Sequence, residues 1–259
     1  MFRICADEFE RPVDLSDRSD PSVLYVRSYL VIRAVVGVLG LALPILFIAG
    51  EAFVLHGGVQ VRGSISAYYH TSMRDLFVAG LAVVGFMLLT YMARRTDRPD
   101  RWISSLAGLA VLGVAFFPTG RPNLAEGAPR CGVTPEPAGC SAVQQQLGET
   151  TTATIHFVCA TVFILSLAAI SFYFACRARA KERTRVARIH QACGIAILVA
   201  VAWVAIGGLL HAELGPLTPL YLGEVVSVWA FAVSWLAAAR DLVGSGSAPV
   251  TAGDHARSA

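Results

Sequence analysis

Long apolar runs separated by short polar segments dominate the chain. Six of them reach or approach the length of about 20 residues that a helix needs to cross a hydrocarbon core of roughly 30 Å. These runs lie near residues 31–49, 75–93, 102–118, 152–176, 189–210 and 217–239. Their interiors hold almost no Asp, Glu, Lys or Arg, whereas helices of a soluble bundle carry a regular polar stripe. The pattern predicts an all-α, polytopic transmembrane helical bundle with about six spanning helices.

Polar segments flank the predicted membrane domain. Residues 1–29 mix acidic and basic side chains and lack an apolar core behind a basic start, so no cleavable signal peptide is expected. Residues 241–259 are rich in Gly, Ser and Ala, a composition typical of disorder. We therefore predict a polar tail at 1–29, a membrane domain at 30–240 with an outer loop at 119–151, and a disordered tail at 241–259.

Basic residues fall on alternate sides of the predicted spans. If the N-terminus is cytoplasmic, 17 of the 21 Lys and Arg residues lie in inside segments, and only Arg62, Arg74, Arg121 and Arg130 lie outside. Because cytoplasmic loops of membrane proteins carry an excess of Lys and Arg, both termini are predicted to be cytoplasmic, in an inner or plasma membrane.

The amino-acid composition is typical of a membrane protein and limits the kinds of partner that we expect. Of the 259 residues, 55% are hydrophobic and 15% are charged, against about 25% charged in typical soluble domains. The formal net charge of +3 reflects the excess of Lys and Arg in the predicted inside segments. It is therefore not taken as a sign of nucleic-acid binding, and no nucleic-acid partner is expected. Membrane lipids are the expected partners, and self-association into a homo-oligomer is left open.

Two of the six cysteines, Cys131 and Cys140, lie nine residues apart in the predicted outer loop. Such a loop faces an oxidising compartment, in which a disulfide forms and persists. A metal-binding pair is the alternative, although no His or further Cys stands near these two residues. The sequence therefore predicts a disulfide between them.

Ionisable side chains gather at one predicted depth, just below the outer surface. They come from four helices: His70, Asp75, His156, His211 and Glu224. Charged groups within a span are costly and usually face the bundle interior, where they pair or line a pathway. Glu224 shares a helix face with Ser227 and Ser234, at i+3 and i+10, so this face is predicted to point inward. A joint polar site near the outer surface is the resulting hypothesis.

The segment Ser66-Ala-Tyr-Tyr-His70 resembles the Ser-x-x-x-His motif of the transmembrane superfamily that contains alkaline ceramidases and progestin/adiponectin-type receptors. Those proteins bind zinc through that His and two more on a late helix, and the enzymes hydrolyse lipid amides. The resemblance implies His70 as a zinc ligand, Ser66 as a supporting hydroxyl and Asp75 as a candidate carboxylate.

The chain also departs from that superfamily. It has six apolar runs, whereas the superfamily has seven helices, and its last run carries Glu224 and no His. His156 and His211, from other helices, would have to replace the two late ligands. The overall pattern equally resembles uncharacterised six-helix bacterial membrane proteins, which imply no activity.

The leading hypothesis is a metal-dependent, lipid-directed hydrolase with its site at the outer face. His70, His156 and His211 would hold zinc with an open position for water, whose pKa the metal lowers toward about 7. The catalytic side chains would be Ser66, Asp75 and Glu224.

Two alternatives stay open. The first is a transporter, sensor or assembly component with a His/Glu polar site, which a polar path to the cytoplasmic side would favour. The second is a single haem b held by His156 and His211. Nucleotide-binding, esterase and zincin motifs are missing from the sequence.

Overall fold

The computed structural model describes residues 21–55, 59–90, 99–122, 124–125, 127–210 and 217–245. These residues form seven α-helices and one short 3₁₀ helix, and they contain no strand. The helices are α1 (Pro21–Leu55), α2 (Arg74–Thr90), α3 (Pro99–Phe116), α4 (Ala142–Leu147), α5 (Glu149–Ala180), α6 (Thr184–Leu209) and α7 (Pro219–Ser245), and the 3₁₀ helix is Ser66–His70. The all-α prediction is confirmed for this part of the chain.

Four helices are long and apolar enough to cross a membrane. Their candidate spans are Leu30–Val54, Glu149–Ala180, Thr184–Leu209 and Pro219–Arg240. The described parts of α2 and α3 are shorter, at 17 and 18 residues. Large hydrophobic side chains are exposed along the outer surface of the bundle, as lipid contact requires. The chain is therefore a membrane protein with four helices of spanning length.

The helices α1 and α7 extend beyond the apolar runs that predicted them. α1 begins at Pro21 and α7 ends at Ser245, so residues 21–29 and 241–245, which were predicted to belong to the tails, are helical. Once a helical turn exists, each further residue adds a hydrogen bond at little cost. A helix can therefore continue past the end of its hydrophobic segment.

Successive long helices run in alternating directions through the bundle. Each end of the bundle therefore contains one end of every long helix. The main contacts join α6 with α7, α5 with α6, α2 with α3, α3 with α5, and α1 with α7. The pair α2 and α3 crosses closely at Gly85 and Gly108, where a Cβ on Gly108 would lie 2.8 Å from the Gly85 carbonyl oxygen. Small residues permit such close approach of membrane helices.

The two ends of the bundle differ in their connections. We call the end that carries residues 117–148 the disulfide end, because Cys131 and Cys140 are bonded there with a Cα–Cα distance of 5.7 Å. The predicted disulfide is thereby confirmed. The opposite end, where a tight turn joins α5 to α6, is called the turn end.

An ion pair fastens the disulfide loop to the first turn of α5. The buried Glu149 carboxylate accepts hydrogen bonds from the backbone N–H of Arg121 at 2.7 Å and of Cys131 at 3.1 Å. The Arg121 guanidinium binds the same carboxylate at 3.1 Å and also donates to the carbonyls of Pro129 and Ala138. Together with the disulfide, these bonds give the long loop a defined position over the bundle.

Candidate functional site

An apolar cavity of about 770 Å³ lies within the disulfide half of the bundle. Aliphatic and aromatic side chains supply most of its wall, and Ser66, His156 and Glu224 are among its few polar groups. The volume falls within the range of roughly 300–1,000 Å³ that is usual for small-molecule sites. A mostly apolar pocket with a few converging polar groups is the usual form of a binding site for an apolar ligand.

The cavity opens sideways between α5 and α6. Its wall includes Phe157 and Leu165 of α5, which are 52% and 45% exposed. It also includes Ala205 and Gly208 of α6, which are exposed as well. Because these residues line the cavity and also reach the outer surface of the bundle, the opening faces the region that lipid occupies.

Ser66 and His156 form a hydrogen-bonded pair at the wall of this cavity. The Ser66 hydroxyl oxygen lies 2.9 Å from Nε2 of His156, whose side chain is only 1% exposed. The other ring nitrogen, Nδ1, lies 2.7 Å from the carbonyl oxygen of Phe117. A carbonyl only accepts hydrogen bonds, so Nδ1 carries the proton and Nε2 carries the lone pair. The Ser66 hydroxyl therefore donates to Nε2.

The end of α3 supplies the carbonyl that orients His156. α3 ends at Phe116, and Pro118 follows two residues later. Proline has no N–H to continue the helical ladder, and it disfavours the helical conformation of the residue before it. The Phe117 carbonyl is consequently left outside the helical ladder and accepts the Nδ1–H of His156.

His70 is also bound by a backbone carbonyl, that of Thr119, the residue that follows Pro118. Its Nε2 lies 2.9 Å from the Thr119 carbonyl oxygen, which also accepts a bond from the buried Gln144 side chain. Burial lowers the pKa of His70 below its ordinary value, and the nearby Arg74 and Arg121 lower it further. The neutral ring, which donates through Nε2, is therefore the favoured form.

Bonds to α7 position the segment that precedes Ser66. The backbone N–H of Ile65 donates to the Glu224 carboxylate at 2.5 Å. Two residues earlier, the Gly63 carbonyl accepts a bond from the Thr218 hydroxyl. Glu224 thus acts as a positioning residue for Ser66, and it also contributes to the cavity wall.

The structure brings together three of the six predicted site residues. Ser66, His156 and Glu224 meet at the cavity. His70 is half-buried at the far end of the 3₁₀ helix and Asp75 is exposed in the first turn of α2, and neither residue lines the cavity. His211 lies outside the described residues.

The metal and haem hypotheses both need His211 and therefore stay predictions. Among the residues that the structure describes, no group of three His, Cys, Asp or Glu side chains is arranged to hold a metal ion. His156 does donate Nδ1–H to a carbonyl, as metal-bound histidines commonly do. Its Nε2 lone pair, however, points at the Ser66 hydroxyl.

Sequence reasoning missed two buried carboxylates at the disulfide end. Glu51, near the end of α1, is buried and pairs with Arg62, and Glu149 pairs with Arg121. Both partners belong to the four basic residues predicted to lie outside. A search for an acidic partner to each of those isolated arginines could have suggested these pairs.

A second Ser–His pair lies at the turn end and was also not predicted. His190 Nδ1 is 2.9 Å from the Ser234 hydroxyl oxygen, and both residues are buried. The guanidinium of the buried Arg33 lies beside them, over the rings of Phe174 at 5.0 Å and Trp235 at 5.4 Å. The inward orientation predicted for Ser234 is confirmed, because its side chain is fully buried.

The pair at the cavity has the parts that nucleophilic catalysis needs. It combines a hydroxyl, a base that accepts its proton and a third group that orients the base. In comparisons with protein-family models, curated proteins and solved structures, nothing matches this chain.

Proposed function

We propose that this protein is a multi-pass membrane hydrolase that cleaves an acyl bond of a lipid, with Ser66 as nucleophile and His156 as general base. The observation that carries the proposal is the 2.9 Å hydrogen bond from the Ser66 hydroxyl to His156 Nε2 at the wall of an apolar cavity. The fixed Nδ1–H to the Phe117 carbonyl supports it, because it leaves Nε2 ready to accept a proton.

The reaction follows the usual course of acyl transfer. The Ser66 oxygen attacks the carbonyl carbon of the lipid while its proton moves to His156 Nε2. The tetrahedral intermediate then expels the alcohol or amine, which takes that proton from Nε2, and an acyl-serine remains. Water next attacks the acyl carbon, gives one proton to Nε2 and releases the fatty acid as the proton returns to Ser66. The Ser-x-x-x-His resemblance favours a lipid amide, and an ester is open to the same chemistry.

The Phe117 carbonyl determines how effectively His156 can act as a base toward Ser66. It orients the imidazole and accepts Nδ1–H, as the carboxylate of a Ser-His-Asp triad does. It carries no full charge, however, so it stabilises the imidazolium less than a carboxylate would. A slow hydrolase is the expected result.

The depth of the cavity suits one acyl chain. Along α5 the cavity wall runs from His156 to Leu167, a distance of about 16 Å at 1.5 Å per residue. Half of a hydrocarbon core of roughly 30 Å is about 15 Å. A lipid of the adjacent leaflet could therefore enter between α5 and α6 and place its acyl bond at Ser66, with the chain filling the cavity.

The placement of the site in the outer half of the membrane belongs to the same proposal. The bias of Lys and Arg toward the turn end favours a cytoplasmic turn end with both termini inside the cell. The site would then draw its substrate from the outer leaflet of an inner or plasma membrane.

A fluorophosphonate probe tests the proposed nucleophile. An activated serine oxygen displaces fluoride from the phosphorus atom, so the full-length protein in its membrane should be labelled, and peptide mapping should place the label on Ser66. Ser66→Ala should abolish labelling. Ser227→Ala is the matched control, because Ser227 lines the same cavity and its hydroxyl bonds none of the histidines in the described part of the chain. It should label like the wild type.

Turnover is measured in parallel with a long-chain N-acyl amide and a long-chain ester in mixed micelles. Fatty acid should appear with the wild type and with Ser227→Ala, and the Ser66→Ala rate should fall by about 10³-fold or more. A label on another residue, or hydrolysis that survives Ser66→Ala, would contradict the proposal.

A further inference from the structure

A second groove lies at the turn end, between the start of α6 and the end of α7. Its volume is about 700 Å³. Two arginines and five apolar residues line it: Arg183, Val186, Ile189, Val233, Leu236, Ala237 and Arg240. This site shares no residue with the cavity at Ser66.

Charged and apolar residues are segregated along the groove. Arg183 directly precedes α6, and Ile189 lies six residues further on, about 9 Å along the helix. Arg240 is near the end of α7, and Val233 lies seven residues before it, about 10 Å along the helix. Ile189 and Val233 are 43% and 45% exposed on the apolar surface of the bundle. The groove thus begins at the charged turn end and continues onto the surface that faces lipid.

The local charge favours an anionic occupant. The segment 177–188 carries six basic residues and a single acidic one, Glu182. Basic pockets between membrane helices on the cytoplasmic side are suited to the headgroups of anionic lipids, and each basic side chain strengthens attraction to an anionic surface several-fold. A phospholipid with its headgroup at the two arginines and an acyl chain along the apolar residues of the groove would match this order of side chains.

We propose that this groove binds one anionic phospholipid, with its phosphate between Arg183 and Arg240 and an acyl chain along Ile189 and Val233. Charge complementarity and the continuity of the groove with the lipid-facing surface carry the proposal. It does not depend on the chemistry of Ser66, so the two can fail separately.

Lipid retention by the full-length protein tests this site. Protein in a neutral detergent is titrated with phosphatidylglycerol or phosphatidylcholine, and bound lipids are counted by native mass spectrometry. The wild type should retain one phosphatidylglycerol more tightly than phosphatidylcholine. Arg183→Gln combined with Arg240→Gln should weaken this binding about tenfold or more. Arg185→Gln with Arg188→Gln is the control, since these exposed arginines lie outside the groove, and it should change binding by less than about threefold.

A second variant fills the groove without changing charge. Ala237→Trp should weaken phosphatidylglycerol binding, whereas Val226→Trp, at an exposed position of α7 outside both the groove and the cavity, should not. Equal retention of the two lipids would overturn the proposal, and so would equal weakening by both arginine pairs. It would also be overturned if Ala237→Trp had no effect, or if glycerol phosphate bound as tightly as phosphatidylglycerol, because the acyl chain would then contribute nothing to binding.

Discussion

The two Ser–His pairs of this protein have the same hydrogen-bond length and opposite surroundings. At the disulfide end, Ser66 bonds Nε2 of His156 beside an open cavity. At the turn end, Ser234 bonds Nδ1 of His190, and the ring packs edge-on against Phe174 at 5.5 Å. Both oxygen–nitrogen distances are 2.9 Å.

The comparison separates the length of the hydrogen bond from the other conditions that a catalytic pair must meet. A serine acts as a nucleophile only where a substrate can reach it and where the base is oriented for proton transfer. Ser66 and His156 meet both conditions, because they line the cavity and the Phe117 carbonyl holds the imidazole. Ser234 and His190 are buried and line neither the cavity nor the groove, so a ligand in either of these sites does not reach them.

The largest expected contrast is in rate. His156→Gln removes the proposed general base, so hydrolysis and fluorophosphonate labelling of Ser66 should slow by about 10²- to 10⁴-fold. His190→Gln removes the equivalent ring at the turn end and should leave the rate per folded molecule within about twofold. Initial rates, normalised to folded protein by size exclusion, check both variants. Equal losses in the two would mean that the pairs do not differ in function.

Metal removal separates the proton-transfer mechanism from the zinc hypothesis. If Ser66 and His156 act by themselves, dialysis against a chelator should change labelling of Ser66 by less than about twofold. A loss of more than about tenfold that zinc restores would favour the predicted ligands His70, His156 and His211, since a bound zinc ion supplies the activated water. Metal analysis of the purified protein gives an independent readout.

Stability should show the reverse contrast between the two pairs. Ser234→Ala leaves the buried His190 without that hydrogen bond, which should lower the free energy of unfolding by about 1–3 kcal/mol. Ser66→Ala should cost less than about 1 kcal/mol, because His156 borders the cavity and a water molecule there can replace the lost hydrogen bond to Nε2. Denaturant unfolding in detergent, followed by tryptophan fluorescence, measures both. A larger loss from Ser66→Ala would reverse the assignment of structural and functional pairs.

The smallest expected effect is a pH dependence at the disulfide end. Burial lowers the pKa of His70 below its ordinary value near 6.5, so the unfolded chain binds the proton more readily than the folded one. Stability from neutral His70 should therefore be complete above about pH 6.5 and decline as the pH falls below it.

His70→Gln tests this dependence, because the glutamine amide can still donate to the Thr119 carbonyl but does not titrate. The fall in Tm between pH 8 and pH 5 should be smaller in the variant than in the wild type. An identical fall in both proteins would assign the pH dependence to other groups.

The membrane helices follow from the sequence because hydrophobic length is a local property. Four predicted runs, at 31–49, 152–176, 189–210 and 217–239, coincide with the helices of spanning length. The Cys131–Cys140 disulfide was also predictable, since nine residues of loop keep the two thiols close whatever the helices do. The predicted ends of α1 and α7 were less accurate, because each helix continues past its hydrophobic segment.

It was much harder to predict from the sequence which polar groups pair with each other. Depth, which follows from position along each helix, selected His156 and Glu224, and the resemblance to the Ser-x-x-x-His motif implied Ser66. The sequence did not reveal that His156 bonds Ser66, 90 residues away, or that Glu224 holds the Ile65 amide. The carboxylates of Glu51 and Glu149 were missed because their arginine partners lie 11 and 28 residues away.

Sequence alone therefore determined which segments are apolar helices and that Cys131 and Cys140 are joined within the long loop. Only the tertiary structure decided which histidine contacts which serine, since that depends on the rotation and crossing of helices far apart in the chain. It also decided that one pair faces a cavity while the other is enclosed. Packing sets cavities, and packing is a property of several helices together. One serine hydroxyl thereby became a candidate nucleophile, and a chemically similar one became part of the core.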